Sequence, residues 1–274
     1  MIKFKYINSL IILLLFSINV QAHKRWILPS IFNVSEEQWI TVDATVSNNI
    51  FFSDKPWPLA GIIVSTPDNK HAKIENKFEG HRRSSFDLLL NVSGTYKITS
   101  GGDVFFAKYD KPIAKEGEKP TENIRGFDFS KLKASLPKNA GNISFAKSIS
   151  RLESYVTLGA LNSSVFKPEN SGIELVPVTH PNDLYHQEKA QFQFLVNGKS
   201  VKDLTVMLVW EGTRHRDDEE AAILKTDSNG KVFIDLNRTG RFLLEASHHM
   251  ELKNDKDFSE LFMSYFGTFE VLPQ

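Results

Sequence analysis

The fold class is decided by the stretch Trp39-Ile40-Thr41-Val42-Asp43-Ala44-Thr45-Val46, in which apolar and polar residues alternate with a period of two. This alternation, rich in β-branched residues, is typical of a strand with one buried face. Tyr96 follows a glycine turn and is either a corner tyrosine bonded to the backbone or an ordinary core residue. Similar strand segments, each closed by turn residues, occupy 61–65, 71–78, 85–90, 95–99 and 104–109. They predict an antiparallel sandwich.

The C-terminal part of the chain shows the same texture. Segment 191–196 alternates and ends at Asn197-Gly198, which is a strong hairpin signal. The order of its strands and turns resembles the small sandwiches of the transthyretin and collagen-adhesin repeat type. Further strands are predicted at 173–177, 204–210, 222–225, 231–236, 241–247 and 265–272.

The middle of the chain has a different composition, dominated by Lys, Glu, Pro, Gly and Asn up to about residue 141. Within it we predict a helical turn at 129–136, and after it a brief helix at 146–153 and a strand at 154–158. The expected fold is therefore all-β. It has two tandem antiparallel β-sandwich domains, immunoglobulin-like or transthyretin-like, at 23–110 and 171–274, joined by a long loop segment at 111–170.

The first 22 residues are typical of a secretory signal peptide. Lys3 and Lys5 precede a short apolar run over 10–16, and Val20-Gln21-Ala22 provides a cleavage site. The alternative is a membrane anchor, but the apolar run is much shorter than the ~20 residues that span a bilayer. We expect cleavage after Ala22 and a mature periplasmic protein that does not span the membrane.

Composition excludes several function classes. The chain carries 33 basic and 33 acidic residues, so no excess positive charge favours nucleic acid as a partner. It has no cysteine, and therefore no disulfide framework, thiolate metal site or cysteine nucleophile. No Gly-x-Ser-x-Gly elbow and no glycine-rich phosphate loop is present, which argues against the common hydrolase and nucleotide-binding sites.

Histidine is the main supply of metal-binding nitrogen. Cleavage after Ala22 would make His23 the first residue, and its α-amine and ring Nδ1 would form a chelating pair for Cu, Ni or Zn once a second imidazole joins. The alternative is an ordinary solvated terminus. His180 and His186 flank a short turn that is able to direct both rings at one point, and His248 lies where a strand ends. No pair has a recognised metal-motif spacing, so a site must assemble from distant segments.

Several segments resemble one exported bacterial family of unknown function, whose members are described as similar to the periplasmic component of cobalt/nickel ABC transporters. The resemblance extends over nearly all of the chain after residue 22. It is carried by Ala22-His23-Lys24-Arg25-Trp26-Ile27-Leu28-Pro29-Ser30 and by segments 39–48, 83–87, 94–96, 174–184, 212–217 and 226–230.

This resemblance implies a two-sandwich protein of the Gram-negative periplasm that is linked to uptake of a transition metal. It carries over two histidines, one directly after the cleavage point and one in Thr-His-Pro-Asn-Asp-Leu, which here are His23 and His180. The chain departs from the family pattern at two places. It has His215 where we expect Tyr, and Lys55-Pro56 where we expect a nearby His.

These observations lead to three hypotheses. The first is a metal-binding protein that uses His23, His180, His186 and His248 to hold Ni, Co, possibly Cu or Fe, and delivers the metal to a membrane transporter or outer-membrane receptor components. The second is an adhesion or ligand-binding module without metal, because sandwich folds serve many functions. The third, ranked last, is an enzyme: a copper monooxygenase with an N-terminal histidine brace.

Overall fold

The computed structural model describes residues 23–112 and 120–274. The predicted signal peptide lies outside these residues. Strands dominate the described part, and the sheets are built mainly from antiparallel pairs. The prediction of an all-β fold is therefore confirmed. No helix in the described ranges is long and apolar enough to cross a membrane.

The strands of the N-terminal half are mostly short and alternate between buried and exposed residues, as half-buried strands do. They are β1 (Lys24–Pro29), β2 (Asn33–Val34), β3 (Gln38–Ser47), β4 (Lys55–Pro56), β5 (Ile63–Ser65), β6 (Ile74–Glu79), β7 (Ser84–Leu90), β8 (Gly94–Asp110) and β9 (Thr121–Gly126).

The remainder begins with a short helix that is capped by the side chain of Asp128. Its elements are α1 (Phe129–Ala134), β10 (Gly141–Leu158), β11 (Ile173–Pro177), β12 (Lys189–Val196), β13 (Lys199–Ser200), β14 (Thr205–Trp210), β15 (Ala222–Lys225), β16 (Lys231–Asp235), β17 (Gly240–Glu251) and β18 (Glu260–Val271). Single 3-10 turns occupy Leu59–Gly61, Ser164–Phe166 and Thr213–His215.

The described strands form three sheets. The N-terminal sheet has the order β1-β3-β7-β6, with β4 beside β3. The central sheet has nine strands. Seven of them follow the order β15-β14-β17-β18-β10-β8-β5, and the other two pair at the side, β2 with β10 and β9 with β8. The C-terminal sheet joins β11, β13 and β16 to β12. Within the central sheet β10 runs parallel to β18, and its other long pairings are antiparallel.

The central sheet contributes to two hydrophobic cores, one on each face. Adjacent residues of a strand point to opposite faces. Leu243 and Phe266 therefore pack with the N-terminal sheet, whereas Leu244 and Tyr265 pack with the C-terminal sheet. The first core includes Trp26 of β1, which is fully buried. The molecule is thus layered, with the central sheet between the two others.

Strand β10 joins the two halves of the chain. It pairs with β8 along one edge and with β18 along the other. The helix predicted at residues 146–153 is therefore wrong, because this segment finds hydrogen-bond partners on both sides and tertiary pairing overrides its weak local preference. Strands of both predicted domains share the central sheet, and the domain boundaries at 110 and 171 stay predictions.

Two local predictions are confirmed, and one open alternative is resolved. Tyr96 is a corner tyrosine as well as a core residue, because its buried ring directs the hydroxyl to accept from the backbone N–H groups of Asn91 and Val92. The Asn197-Gly198 turn forms the hairpin between β12 and β13. The helical turn predicted at 129–136 is α1.

Candidate functional site at the first strand

His23 is the first described residue and lies exposed directly before β1. Its ring Nδ1 is 2.6 Å from the Oδ1 atom of Asn48, which follows the end of the neighbouring strand β3. In a chain that starts at His23, an α-amine would lie beside this ring. An amine, an imidazole and an amide oxygen are donors that divalent Cu and Ni accept.

The strand that follows His23 is firmly anchored. Lys24 is only 3% exposed, and its Nζ lies 2.6 Å from both carboxylate oxygens of Glu219. Trp26 and Ile27 are fully buried in the first core. Because these contacts fix the start of β1, the His23 ring is presented from a defined position.

A groove of about 760 Å³ opens beside the start of β1, over the central sheet. We call it the first-strand groove. Its wall combines charged side chains with hydroxyl groups and apolar surface. It is lined by Lys24, Arg25, Ser148, Met207, Glu219, Glu245, Ser247, His248, His249, Phe262, Met263, Ser264 and Phe266.

Arg25 is held in this groove by two aromatic rings. Its guanidinium carbon lies 5.5 Å from the ring centre of Trp57 and 5.0 Å from that of Phe266. Trp57 is itself fixed by a hydrogen bond from Nε1 to Ser100. Burial lowers the pKa of Arg25 from its usual value, and the Glu245 charge partly offsets this. No hydrogen bond or ion pair joins the guanidinium to any described residue, and Nε is buried without a partner.

Glu245 lies on β17 and faces the same groove. It sits between Met207 of β14 and Phe266 of β18 in the register of the sheet. Burial raises the pKa of its carboxyl group, and the nearby charge of Lys24 partly opposes this effect. Within the described residues no side chain hydrogen-bonds this carboxylate, and Arg25 does not reach it within 4.0 Å.

His180 lies in a different place and is bonded through both ring nitrogens. Nδ1 accepts from the backbone N–H of Asn182, so in the neutral ring Nε2 carries the proton. Nε2 lies 2.9 Å from Thr95 Oγ1 and 3.1 Å from the Asn162 carbonyl. Burial lowers the pKa of His180, and the Asn162 bond and the Asp183 charge partly oppose this. Metal binding at this ring would break protein hydrogen bonds.

Asn182 extends the same network across the layers. Its side chain donates to the backbone carbonyls of Phe32 and Tyr155 and accepts from the hydroxyl of Thr157. We call His180, Asn182 and these partners the His180 cluster. The Thr-His-Pro-Asn-Asp-Leu segment thus has a structural role, because its hydrogen bonds attach a loop to the sheets.

The structure does not bring His23 and His180 together. The chain runs extended from His23 along β1, and Phe32, nine residues later, is where it reaches the His180 cluster. An extended segment of this length spans roughly 20–30 Å. A single ion cannot be bound by both rings.

The other predicted ligands are also dispersed. His186 lies after the turn and uses its backbone N–H to donate to Leu272. His248 lines the first-strand groove from β17, opposite Met263. Its neighbour His249 stacks on Phe262 and has Nε2 3.2 Å from Glu260. Among the described residues no group of three His, Cys, Asp or Glu side chains is arranged to hold a metal ion.

The comparison with protein families decides the classification. A family model described as "Domain of unknown function (DUF4198)" matches residues 20–250. The chain belongs to this family. The expected family of unknown function is thereby confirmed for the DUF4198 chain, and its link with cobalt or nickel transport remains a proposal. No curated protein matches.

Solved structures overlap with the DUF4198 chain only loosely. The D0-D1 domain of intimin is 10% identical, with 89% of this chain and 97% of that chain covered at a TM-score of 0.21. The Escherichia coli adhesin FdeC is 12% identical, and the match covers 89% of this chain and 65% of the FdeC chain at a TM-score of 0.21.

Three N-terminal domains of the outer capsid protein Hoc of bacteriophage RB49 are 8% identical, with 92% and 99% coverage and a TM-score of 0.21. Overlaps at this level do not bear on function.

Sequence reasoning missed the two residues that distinguish the groove in the DUF4198 chain. Arg25 belongs to the motif at 22–30 but was not singled out there, and Glu245 lies in an unremarkable strand. A strand was predicted around Glu245, at 241–247, but none around Arg25, and the approach of the two residues across two sheets was not visible. For Glu245 one signal was available, since a charged residue at an inward-facing position of a predicted strand is costly unless it has a partner.

Proposed function

We propose that this protein is an exported transition-metal-binding protein that captures Cu, Ni or Co at His23, its first residue after cleavage. It works in the periplasm and passes the metal to a membrane transporter or an outer-membrane receptor component. The resemblance to a metal-uptake family motivates the proposal. The observation that carries it is the anchored and exposed His23 ring beside Asn48.

The proposed donors are the α-amine of His23, its Nδ1 and the Oδ1 of Asn48. The amine has an ordinary pKa of about 7.7–8.0, so a metal ion displaces its proton easily near neutral pH. The present contact between Nδ1 and Oδ1 shows that both atoms reach one point. A metal ion replaces that hydrogen bond when it binds.

This donor set predicts the order of affinities. Divalent Cu binds nitrogen and oxygen ligands more tightly than Ni, and Ni more tightly than Co. The site is exposed and has few protein ligands, so open positions remain for water or for a ligand from a partner. Such a site suits transient capture and transfer rather than permanent storage.

The proposal is tested by calorimetric titration of Cu(II) and Ni(II) into protein that starts at His23, with the terminus verified by mass spectrometry. A matched form with four extra glycines before His23 moves the amine out of chelating reach of the ring but keeps every side chain. We expect that form to bind Cu(II) at least about tenfold more weakly, which corresponds to about 1.4 kcal/mol.

Two variants separate the donors. His23→Ala is expected to abolish the tight phase, and Asn48→Ala to weaken it by less than the loss of the ring. Asn69→Ala, at an exposed turn, is the matched control and is expected to bind as the unmodified protein does. Equal Cu(II) affinity for the native, glycine-extended and His23→Ala forms would refute the proposal.

A further inference from the structure

The first-strand groove holds two charged groups that the fold leaves without hydrogen-bond partners. Arg25 has a buried Nε with no partner, and the partly buried Glu245 accepts no hydrogen bond from the described residues. A charged group that is buried without a partner destabilises the folded chain by a substantial amount. The usual solutions, pairing these two side chains or replacing both with apolar residues, are absent from this groove.

The neighbouring charges are already paired. Lys24 binds both oxygens of Glu219 at 2.6 Å, so this ion pair closes one side of the groove. What remains is one guanidinium and one carboxylate that face the same space more than 4.0 Å apart. A ligand between them has one binding partner of each sign.

The geometry of Arg25 favours a carboxylate on the ligand. The rings of Trp57 and Phe266 hold the guanidinium in place through cation–π contacts, which leave the N–H donors of Arg25 unused. A planar guanidinium with free donors is suited to bidentate binding of a carboxylate. The stacking also limits the entropy lost on binding, because the side chain is already ordered.

Glu245 supplies the other half of the recognition. A ligand with an anionic group alone would approach Arg25 against the negative charge of Glu245, and an ammonium group alone would meet the positive charge of Arg25. A ligand that carries both charges avoids both penalties. The apolar atoms of Met207, Phe262 and Met263 provide a surface for an aliphatic side chain.

We propose that the first-strand groove binds a free amino acid with an aliphatic side chain, whose carboxylate is held by Arg25 and whose ammonium group is held by Glu245. The groove volume of about 760 Å³ is adequate for such a ligand. It lies in the range of about 300–1,000 Å³ that is usual for small-molecule sites. This site goes beyond the proposed metal capture and does not depend on it.

The probe is L-leucine, titrated by calorimetry into the full mature protein in the presence of a chelator that removes metal ions. Isocaproate has the same carbon skeleton without the amine, and isopentylamine has it without the carboxylate. We expect L-leucine to bind and each analogue to bind at least about tenfold more weakly. Absence of L-leucine binding at millimolar concentration, or equal binding of an analogue, would overturn the proposal.

Variants assign the two contacts. Arg25→Gln is expected to bind L-leucine no more tightly than isopentylamine, which lacks the carboxylate. Glu245→Gln is expected to bind L-leucine no more tightly than isocaproate, which lacks the amine. Arg83→Gln and Glu75→Gln remove the same charges from exposed ion pairs elsewhere and serve as matched controls. Circular dichroism verifies folding, and Glu245→Gln decides the outcome alone if Arg25→Gln does not fold. Unchanged discrimination in folded Glu245→Gln protein would contradict the assignment.

Discussion

A fully buried carboxylate on one face of the central sheet and a partly buried carboxylate on the other differ in their surroundings. Glu153 of β10 is fully buried and receives hydrogen bonds from Lys97 and Tyr155, both at 2.9 Å. Glu245 of β17 is largely buried and receives none from the described residues. The first is the centre of a closed network, and the second faces the first-strand groove.

This difference separates structural from binding roles. A buried polar group that is fully partnered stabilises one arrangement of the fold. One that lacks partners costs stability unless a ligand supplies them. The His180 cluster resembles Glu153 in this respect, whereas Arg25 resembles Glu245. The completeness of hydrogen bonding therefore distinguishes the two classes better than the residue types do.

The largest effect is expected from Glu153→Gln. The side chain of Lys97 is 8% exposed, and the substitution removes the carboxylate that lies 2.9 Å from its ammonium group. Only the more distant carboxylate of Glu169, at 3.9 Å, remains. We expect a loss of about 3 kcal/mol in the free energy of unfolding, measured by urea denaturation. A loss below 1 kcal/mol would remove the contrast between the two carboxylates.

Asn182→Ala tests the His180 cluster in the same way. It removes two donated bonds and one accepted bond, and leaves the carbonyls of Phe32 and Tyr155 buried without that partner. We expect a loss of about 2–3 kcal/mol in urea denaturation. Asn229→Ala, at an exposed turn, is the control and is expected to change stability far less. Equal effects of the two variants would show that the hydrogen bonds of the His180 cluster do not stabilise the fold.

The pH dependence of stability is a third test. Burial holds the pKa of His180 below its ordinary value, so the unfolded chain binds a proton at pH values where the folded chain does not. Stability contributed by the neutral ring is therefore present above about pH 6.5 and is lost as the pH falls below that value. Urea denaturation between neutral and acidic pH should show a shallower slope for His180→Gln. An unchanged slope would mean that His180 does not titrate abnormally.

The smallest effect is expected from Glu245→Gln in the absence of ligand. Removing a partly buried charge without a hydrogen-bond partner should leave the free energy of unfolding unchanged or raise it by up to about 1 kcal/mol. This is opposite in sign to Glu153→Gln for the same chemical change. A loss of about 2 kcal/mol or more would show that Glu245 has a structural partner.

Much of the fold was predictable from local patterns, and the functional groove was not. Alternation identified β3, and turn chemistry identified the Asn197-Gly198 hairpin. For Tyr96 the sequence left a corner role and a core role open, and the structure shows both. The segment at 146–153 was misassigned because its strand character arises from neighbours distant in sequence. For the same reason Arg25 and Glu245 gave no local signal, since they meet only after two sheets pack.

The candidate metal site shows the same limit. The chemistry of His23 follows from its position after the predicted cleavage point, but its companion does not. Sequence reasoning paired it with His180, and the structure instead places Asn48 beside it. A turn after β3 had no property that distinguished Asn48 from many other exposed asparagines.

The most direct test compares two histidines in one measurement. Cu(II) is titrated calorimetrically into protein that starts at residue 23 and carries His23→Gln or His180→Gln, below the melting temperature of each variant. We expect His23→Gln to weaken binding at least about tenfold and His180→Gln to leave it unchanged. The reverse result, loss of Cu(II) affinity in His180→Gln with full affinity in His23→Gln, would contradict capture of metal at the first residue.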